Sequence, residues 1–205
     1  MPDNVFLEYD SFDKMDASEV DIARELVSGL YGRPHSDVKF DGVYFYERRF
    51  PSTFYPDVNE PMRIGVWLPK HQADNPLACF YHLTHELVHC LTPNGPKTGQ
   101  ATMLEEGLAE HSKIYLVEQF FQQDYQDTNF RTLGSRKYVD AFEMVEELIA
   151  DHGLNEMRDI VKTMRSETNR PFAAISLDDL KHYFTASNTQ LLRKLSAPFH
   201  DGWPQ

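Results

Sequence analysis

The sequence predicts an α+β fold, in which a small mixed sheet packs on one helix and a mostly helical C-terminal part follows. The main observation is a change in apolar spacing along the chain, from helical before residue 31 to alternating between 37 and 69. Helical spacing then returns from residue 76 onward. The order of helix, strands and helices is typical of α+β proteins, and 205 residues suit one main core.

The first helix is predicted over residues 17–31. Asp16 with Glu19 three residues later is a helix-start signal, and apolar residues follow at helical spacing. Gly32 and Pro34 then end the pattern. We therefore expect an amphipathic helix with one buried face.

A small sheet is predicted between residues 37 and 69. Val38, Phe40 and Tyr44 alternate with polar residues, and residues 62–68 form a second apolar run. The segment between the two runs contains three prolines and is expected to be irregular, at Pro51, Pro56 and Pro61.

Pro76 fits the first turn of the next helix, because its missing N–H has no partner there in any case. This helix is predicted over residues 76–91. The remaining predicted elements are helices over 102–122 and 135–151, a shorter helix through Met157, and two capped tail segments led by Ser176 and Ser187. Because 166–174 is the only linker-like stretch, we expect a domain over 1–165 and a helical C-terminal extension over 166–205 packed on it.

The charge balance argues against polyanionic partners. Lys and Arg number 20 against 32 for Asp and Glu, so the long-range field repels nucleic acid and anionic membrane surfaces. The first residues lack the build of a signal peptide, and no run is long and apolar enough for a membrane span, so we expect a cytoplasmic location. Cys79 and Cys90 are expected to be reduced. The sequence gives no indication of the oligomeric state.

Residues 85–89 read His-Glu-Leu-Val-His inside the helix predicted over 76–91. His85 and His89 lie one turn apart on the same face, where two imidazoles can bind one metal ion. Glu86 lies beside them and is a candidate general base. Catalytic zinc sites usually have three protein ligands, so a third ligand is expected downstream.

Glu106 is the candidate third ligand, within the run Glu-Glu-Gly-Leu-Ala-Glu at 105–110 on the next predicted helix. Glu105, Glu110 and His111 are alternatives. Glu105 projects about 100° away from Glu106, so we expect it to face elsewhere. Glu110 is one turn further and can hydrogen-bond a ligating imidazole. Gly107 costs about 1 kcal/mol relative to alanine in a helix, which indicates that another backbone passes nearby.

These motifs together resemble the gluzincin group of zinc metallopeptidases, which pair His-Glu-x-x-His with a glutamate ligand on a following helix. The resemblance implies a zincin-like fold, a Zn²⁺ ion held by His85, His89 and Glu106, and a peptide or protein substrate. It also implies that Glu86 is the general base and that Glu110 supports His85.

Residues 138–148 resemble the helix of gluzincin aminopeptidases whose leading tyrosine stabilises the oxyanion, which implies that role for Tyr138. The Lys and Gly usual after that tyrosine are Asp140 and Ala141 here. The alternative is that Tyr138 begins the core face of an amphipathic helix. The aminopeptidase signature of the Gly-x-Met-Glu-Asn type is absent, because the corresponding strand reads Met62-Arg-Ile-Gly-Val-Trp-Leu68. This strand is either an edge strand that pairs with extended substrate or an ordinary core strand.

Two other functions are compatible with the motif. One is a zinc-binding regulatory or interaction module of the same fold without turnover, against which the intact Glu86 argues. The other is hydrolysis of a non-peptide amide or ester, because the metal chemistry is the same. Metallopeptidase activity is the favoured prediction.

Overall fold

The computed structural model describes residues 13–96, 100–121 and 135–199. Within these ranges the chain forms a mixed α+β fold with three strands and seven α-helices, which confirms the predicted class. The elements are α1 (Ala17–Tyr31), β1 (Lys39–Tyr46), β2 (Ser52–Phe54), β3 (Arg63–Pro69), α2 (Pro76–His89), α3 (Met103–Phe121), α4 (Arg136–His152), α5 (Leu154–Thr168), α6 (Leu177–Tyr183) and α7 (Thr189–Leu195).

The helix predicted over residues 17–31 is present with those bounds. The Asp16 carboxylate caps it by accepting a hydrogen bond from the backbone N–H of Ser18 at 2.8 Å. Its apolar face is buried, including Val20, Ala23 and Val27. Local capping and apolar periodicity therefore predict where α1 begins and which of its faces is buried.

The sheet has the order β1-β3-β2, with β1 parallel and β2 antiparallel to β3. Because β3 lies in the centre and is buried from Ile64 to Pro69, the hypothesis that residues 62–68 form an edge strand is wrong. The alternative, an ordinary core strand, is confirmed. The edge strands of this sheet are β1 and the short β2, and the prolines that flank β2 concealed it in the sequence.

Gly107 lies where α3 and α4 approach each other closely. A Cβ atom at this position would lie 2.4 Å from the backbone oxygen of Ala141, a distance that real Cβ atoms do not show. The prediction that another backbone passes Gly107 is therefore confirmed. This contact holds α4 against the helix that carries Glu106.

The predicted linker is partly wrong. The helix α5 continues to Thr168, and Phe172 is fully buried in the main core, because the apolar residues after the helix pack instead of connecting loosely. The last helix is capped by Asn188 and not by Ser187. The division at 165/166 stays a prediction, and Gln122, the predicted end of α3, lies outside the described residues.

The end of the described chain anchors the start of α3. The backbone N–H of Met103 donates to Ala197 O at 2.9 Å, and that of Phe199 donates to Ala101 O at 2.8 Å. Phe199 is fully buried beside this ladder. The C-terminal residues thus fix the first turn of α3, which carries the acidic run.

No helix in the described ranges is both long and apolar enough to cross a bilayer. Cys79 and Cys90 are buried and free, as predicted. The cytoplasmic location stays a prediction.

Candidate metal centre

The helix α2 presents His85 and His89 on one face. Its start is defined by Asn75, whose side chain accepts from Ala78 N at 3.1 Å, and by Pro76 in the first turn. One helical turn separates the two histidines, and their Nε2 atoms lie 3.3 Å apart. The Nε2 lone pairs of both histidines can therefore bind the same metal ion.

Glu106 of α3 lies opposite this pair, as the sequence predicts. Its Oε2 is 3.4 Å from Nε2 of His85, and its Oε1 is 3.7 Å from Nε2 of His89. One ligand atom from each of the three residues lies within 4.8 Å of the others. The cluster can thus hold a metal ion.

The spacing of the three donors fits one small divalent ion. Two ligands at 2.0–2.1 Å from zinc in tetrahedral geometry are separated by about 3.3 Å. The separation between the two imidazole nitrogens, 3.3 Å, matches this value, and the 3.4 Å from His85 to Glu106 is close to it. A donor set of two imidazoles and one carboxylate also suits several other first-row ions, so the geometry indicates a metal without naming it.

Glu110 contacts the other side of His85. Its Oε1 lies 2.9 Å from Nδ1 of the ring and also accepts a hydrogen bond from the Lys113 ammonium. Burial raises the pKa of Glu110, but the charges of Lys113 and His85 outweigh it and hold the pKa below its usual value. The contact is an ion pair without well-aligned hydrogen-bond geometry. An ionised carboxylate beside Nδ1 favours the tautomer that carries the proton there, which leaves the lone pair of Nε2 for a metal ion.

Glu105 performs the same task for His89, which the sequence analysis missed. The His89 Nδ1–H donates to Oε1 of Glu105 at 2.8 Å, and Glu105 is fully buried. The expectation that Glu105 faces elsewhere is therefore wrong. A rotation of about 100° does turn it away from the metal ligands, but it brings the carboxylate to the opposite nitrogen of the second imidazole.

Asn94 extends this contact beyond the two helices. Its Nδ2 donates to Oε2 of Glu105 at 2.8 Å, and its Oδ1 accepts from the backbone N–H of Ala173 at 3.2 Å. The chain His89–Glu105–Asn94–Ala173 therefore joins a candidate metal ligand to the C-terminal segment. No periodicity or motif in the sequence marks Asn94.

Charges across the cluster shift both imidazoles in the same direction. Burial lowers the pKa of His89, but the charge of Glu106 and the hydrogen bond to Glu105 outweigh it and raise the pKa to about 10. Burial likewise lowers the pKa of His85, but the interactions of its ring with the Glu106 and Glu110 carboxylates outweigh burial and raise the pKa. The carboxylates thus favour a cation at this place, whether a proton or a metal ion.

Glu86 is buried next to the cluster on α2. Burial raises its pKa, and the positive charge of His85 and His89 only partly opposes this shift. A carboxylate with a raised pKa is a better proton acceptor near neutral pH than an exposed one.

Tyr138 lies beside His85, with ring centroids 6.1 Å apart, and packs on Phe199 at 4.7 Å. Burial and the nearby carboxylates of Glu106 and Glu86 raise its pKa, so the phenol stays protonated. The position is compatible with both predictions for this residue, a hydrogen-bond donor at the site and a packing residue.

The other histidines near the motif do not join the cluster. His111, an alternative ligand in the sequence, instead lies 3.1 Å from Oε1 of Glu146 through its Nδ1. Burial lowers the pKa of His82 to about 4, which keeps that ring neutral. Among the described residues, only His85, His89 and Glu106 are grouped as a potential metal site.

Comparison with known proteins does not assign the chain to a family or a function. No protein-family model matches the chain, and no curated protein or solved structure matches it. The contacts of His85, His89 and Glu106 are therefore the basis for a functional proposal.

Proposed function

We propose that the protein is a zinc metallopeptidase of the gluzincin type, which hydrolyses peptide bonds in a peptide or protein substrate. One observation carries the proposal: Glu106 meets the Nε2 atoms of both histidines, while a separate carboxylate contacts each Nδ1 atom. Carboxylates beside both Nδ1 atoms favour the tautomers that leave Nε2 free to bind a metal ion, and three donors then face one point, as in catalytic metal sites.

Zn²⁺ suits two imidazole nitrogens and one carboxylate oxygen, and His85, His89 and Glu106 would hold it. When bound in such a site, zinc polarises a carbonyl group and makes water acidic enough to attack near neutral pH. Four-ligand structural sites typically use cysteine and histidine, whereas this cluster offers three protein donors among the described residues.

Glu86 acts as the general base. Its buried carboxylate accepts the proton of the attacking water and then donates it to the leaving amine. The burial that raises its pKa favours this exchange, because a stronger base accepts the proton more readily and a group that titrates closer to neutrality also returns it.

Tyr138 donates a hydrogen bond to the oxyanion that develops on the scissile carbonyl. Its phenol is held in the protonated form by burial and by the surrounding carboxylates, so the proton is available for donation. Its position against His85 places the ring beside the candidate metal ligands.

Two variants test the metal and the base separately. Glu86→Gln should keep about one zinc per chain and lose hydrolysis by about 100- to 10,000-fold, since it removes the base and no ligand. Glu106→Ala should lose the zinc as well as the activity. Metal analysis and cleavage of a proteome-derived peptide library measure both, with the exposed Glu147→Ala as the matched control.

The outcomes separate the alternatives. A parent protein that binds zinc but cleaves no peptide of the library is a non-catalytic zinc-binding module. Cleavage of esters or non-peptide amides alone would keep the metal chemistry and overturn the substrate class. Parental zinc content in Glu106→Ala would contradict the ligand assignment itself.

A further inference from the structure

A cavity lined by several cationic side chains lies away from the metal cluster, where α1, α5 and the segment after α2 meet. Its volume is about 270 Å³, larger than the roughly 150 Å³ engineered cavity that holds a benzene molecule. It is lined by Gly32, Arg33, Pro34, His35, Ser36, Thr92, Lys162, Arg165, Ser166 and Asn169. Among these described lining residues there are three permanent cations and no carboxylate, in a chain of net charge −12.

Arg165 is the buried cation of this cavity. Its guanidinium donates to the backbone oxygens of Tyr31, Gly32, Arg33 and Leu91, with distances of 3.0–3.1 Å for the last three. Burial lowers its pKa to about 10, which still leaves it charged at neutral pH. The carbonyl ends of α1 and the segment after α2 would repel an anion, and Arg165 neutralises them.

Two further cations on the lining are accessible. Arg33 is exposed, and Lys162 is partly exposed. The Lys162 ammonium lies 3.0 Å from Asp159, but this is a surface pair with a mostly exposed carboxylate, and such pairs are weak. Both side chains can therefore turn toward a ligand at little cost.

Neutral side chains of the lining also carry groups that can donate hydrogen bonds. The His35 Nδ1 accepts from the backbone N–H of Asp37 at 3.1 Å, so the neutral ring carries its proton on Nε2. Thr92 Oγ1 accepts from Arg165 at 3.0 Å, which directs its own hydrogen elsewhere. Asn169 contributes an amide from a left-handed position at the end of α5.

We propose that this cavity binds the phosphate group of a small molecule, with Arg33 and Lys162 as the main contacts. Two accessible cations match a doubly charged phosphate, and arginine and lysine are the usual residues that bind it. The volume leaves room for a small organic part, so inorganic phosphate and a phosphomonoester such as glycerol phosphate are both accommodated. This site does not depend on the metal centre or on the proposed hydrolysis.

Calorimetric titration of the full chain with inorganic phosphate and with glycerol phosphate tests the proposal, at constant ionic strength. The double variant Arg33→Ala/Lys162→Ala should bind each probe about tenfold or more weakly, because charged hydrogen bonds are lost. The matched control is Arg193→Ala/Lys194→Ala, which removes the same two residue types from exposed positions on α7 and should bind as the parent does. Tighter binding of glycerol phosphate than of phosphate would identify a phosphomonoester as the ligand.

Two more variants keep the test decisive. Asn169→Asp adds one negative charge at a left-handed position that aspartate tolerates, and it should weaken binding without altering the backbone. Glu106→Ala should leave binding unchanged, since phosphate would otherwise be bound at a metal ion. The proposal is overturned if the parent binds neither probe, if both double variants weaken binding equally, or if Glu106→Ala abolishes it.

Discussion

The two histidines of the metal cluster are supported in different ways. His85 is held by charge within α2 and α3, because Glu110 lies between its ring and the buried ammonium of Lys113. His89 is held by directed hydrogen bonds that leave these helices, through Glu105 and Asn94. In both, a carboxylate contacts the imidazole, but the Glu110 carboxylate is held by a cation on the same helix, whereas the Glu105 carboxylate is held by the neutral amide of Asn94. Loss of either should weaken metal binding, but the effects on stability should differ.

The largest expected effect comes from Glu110→Ala. Zinc affinity should fall by about 10- to 100-fold, because Nδ1 of His85 loses the carboxylate that orients it. The variant also leaves the Lys113 ammonium buried without its carboxylate, which should lower the free energy of unfolding by about 3–5 kcal/mol. A zinc titration and denaturant unfolding of the metal-free protein measure the two effects.

Restoring the charge balance provides the control for this variant. In Glu110→Ala/Lys113→Met the buried cation is removed together with its carboxylate, so stability should return in part while the zinc affinity stays low. Equal zinc affinity in Glu110→Ala and the parent would contradict the role of Glu110.

The next effect in size is that of Glu105→Ala. Zinc affinity should again fall by about 10- to 100-fold, since His89 loses its hydrogen-bond acceptor. The loss of stability should be only about 1–3 kcal/mol, because the Asn94 amide that loses its acceptor is neutral. The same two measurements apply, and a stability loss as large as that of Glu110→Ala would remove the distinction between the two supports.

The sequence predicts one side of this comparison better than the other. Helical spacing relates His85 to His89 and Glu106 to Glu110, because residues four apart share a face and the relation is local. That the two pairs meet was predicted from the motif resemblance and the usual number of zinc ligands. Gly107 likewise signals a nearby backbone through its unfavourable position in a helix.

Contacts between distant segments were not predictable in this way. Ala173 contacts Asn94 only because the C-terminal segment folds back on the loop after α2, and no local pattern encodes that approach. The central place of β3 has the same origin, since the short β2 pairs beside it from a proline-rich segment. Spacing thus predicts which residues share a helix face, whereas tertiary packing decides what that face meets.

The smallest expected effect, and the most specific, is that of Asn94→Ala. Asn94 reaches the cluster through the Glu105 carboxylate that it holds, so zinc affinity should fall by less than about tenfold. Zinc titrations of double variants distinguish this route from a general loosening of the fold. Combined with Glu105→Ala, the Asn94 change should add almost nothing, because the carboxylate that it positions is already absent.

Combined with Glu110→Ala, the same change should reduce affinity by its full single-variant factor, since Glu110 contacts the other imidazole directly and is paired with Lys113 on its own helix. Tyr55→Phe is the control for the loop, because its hydroxyl accepts from Gly95 N at 2.9 Å and also interacts with the backbone of Asn94, so this variant loosens the loop but keeps the Asn94 side chain. If Tyr55→Phe and Asn94→Ala weaken zinc binding alike, the loop as a whole supports His89. If Asn94→Ala is additive with both glutamate variants, Asn94 and Glu105 are not energetically coupled in zinc binding. The support of His89 then extends no further from the metal cluster than that of His85.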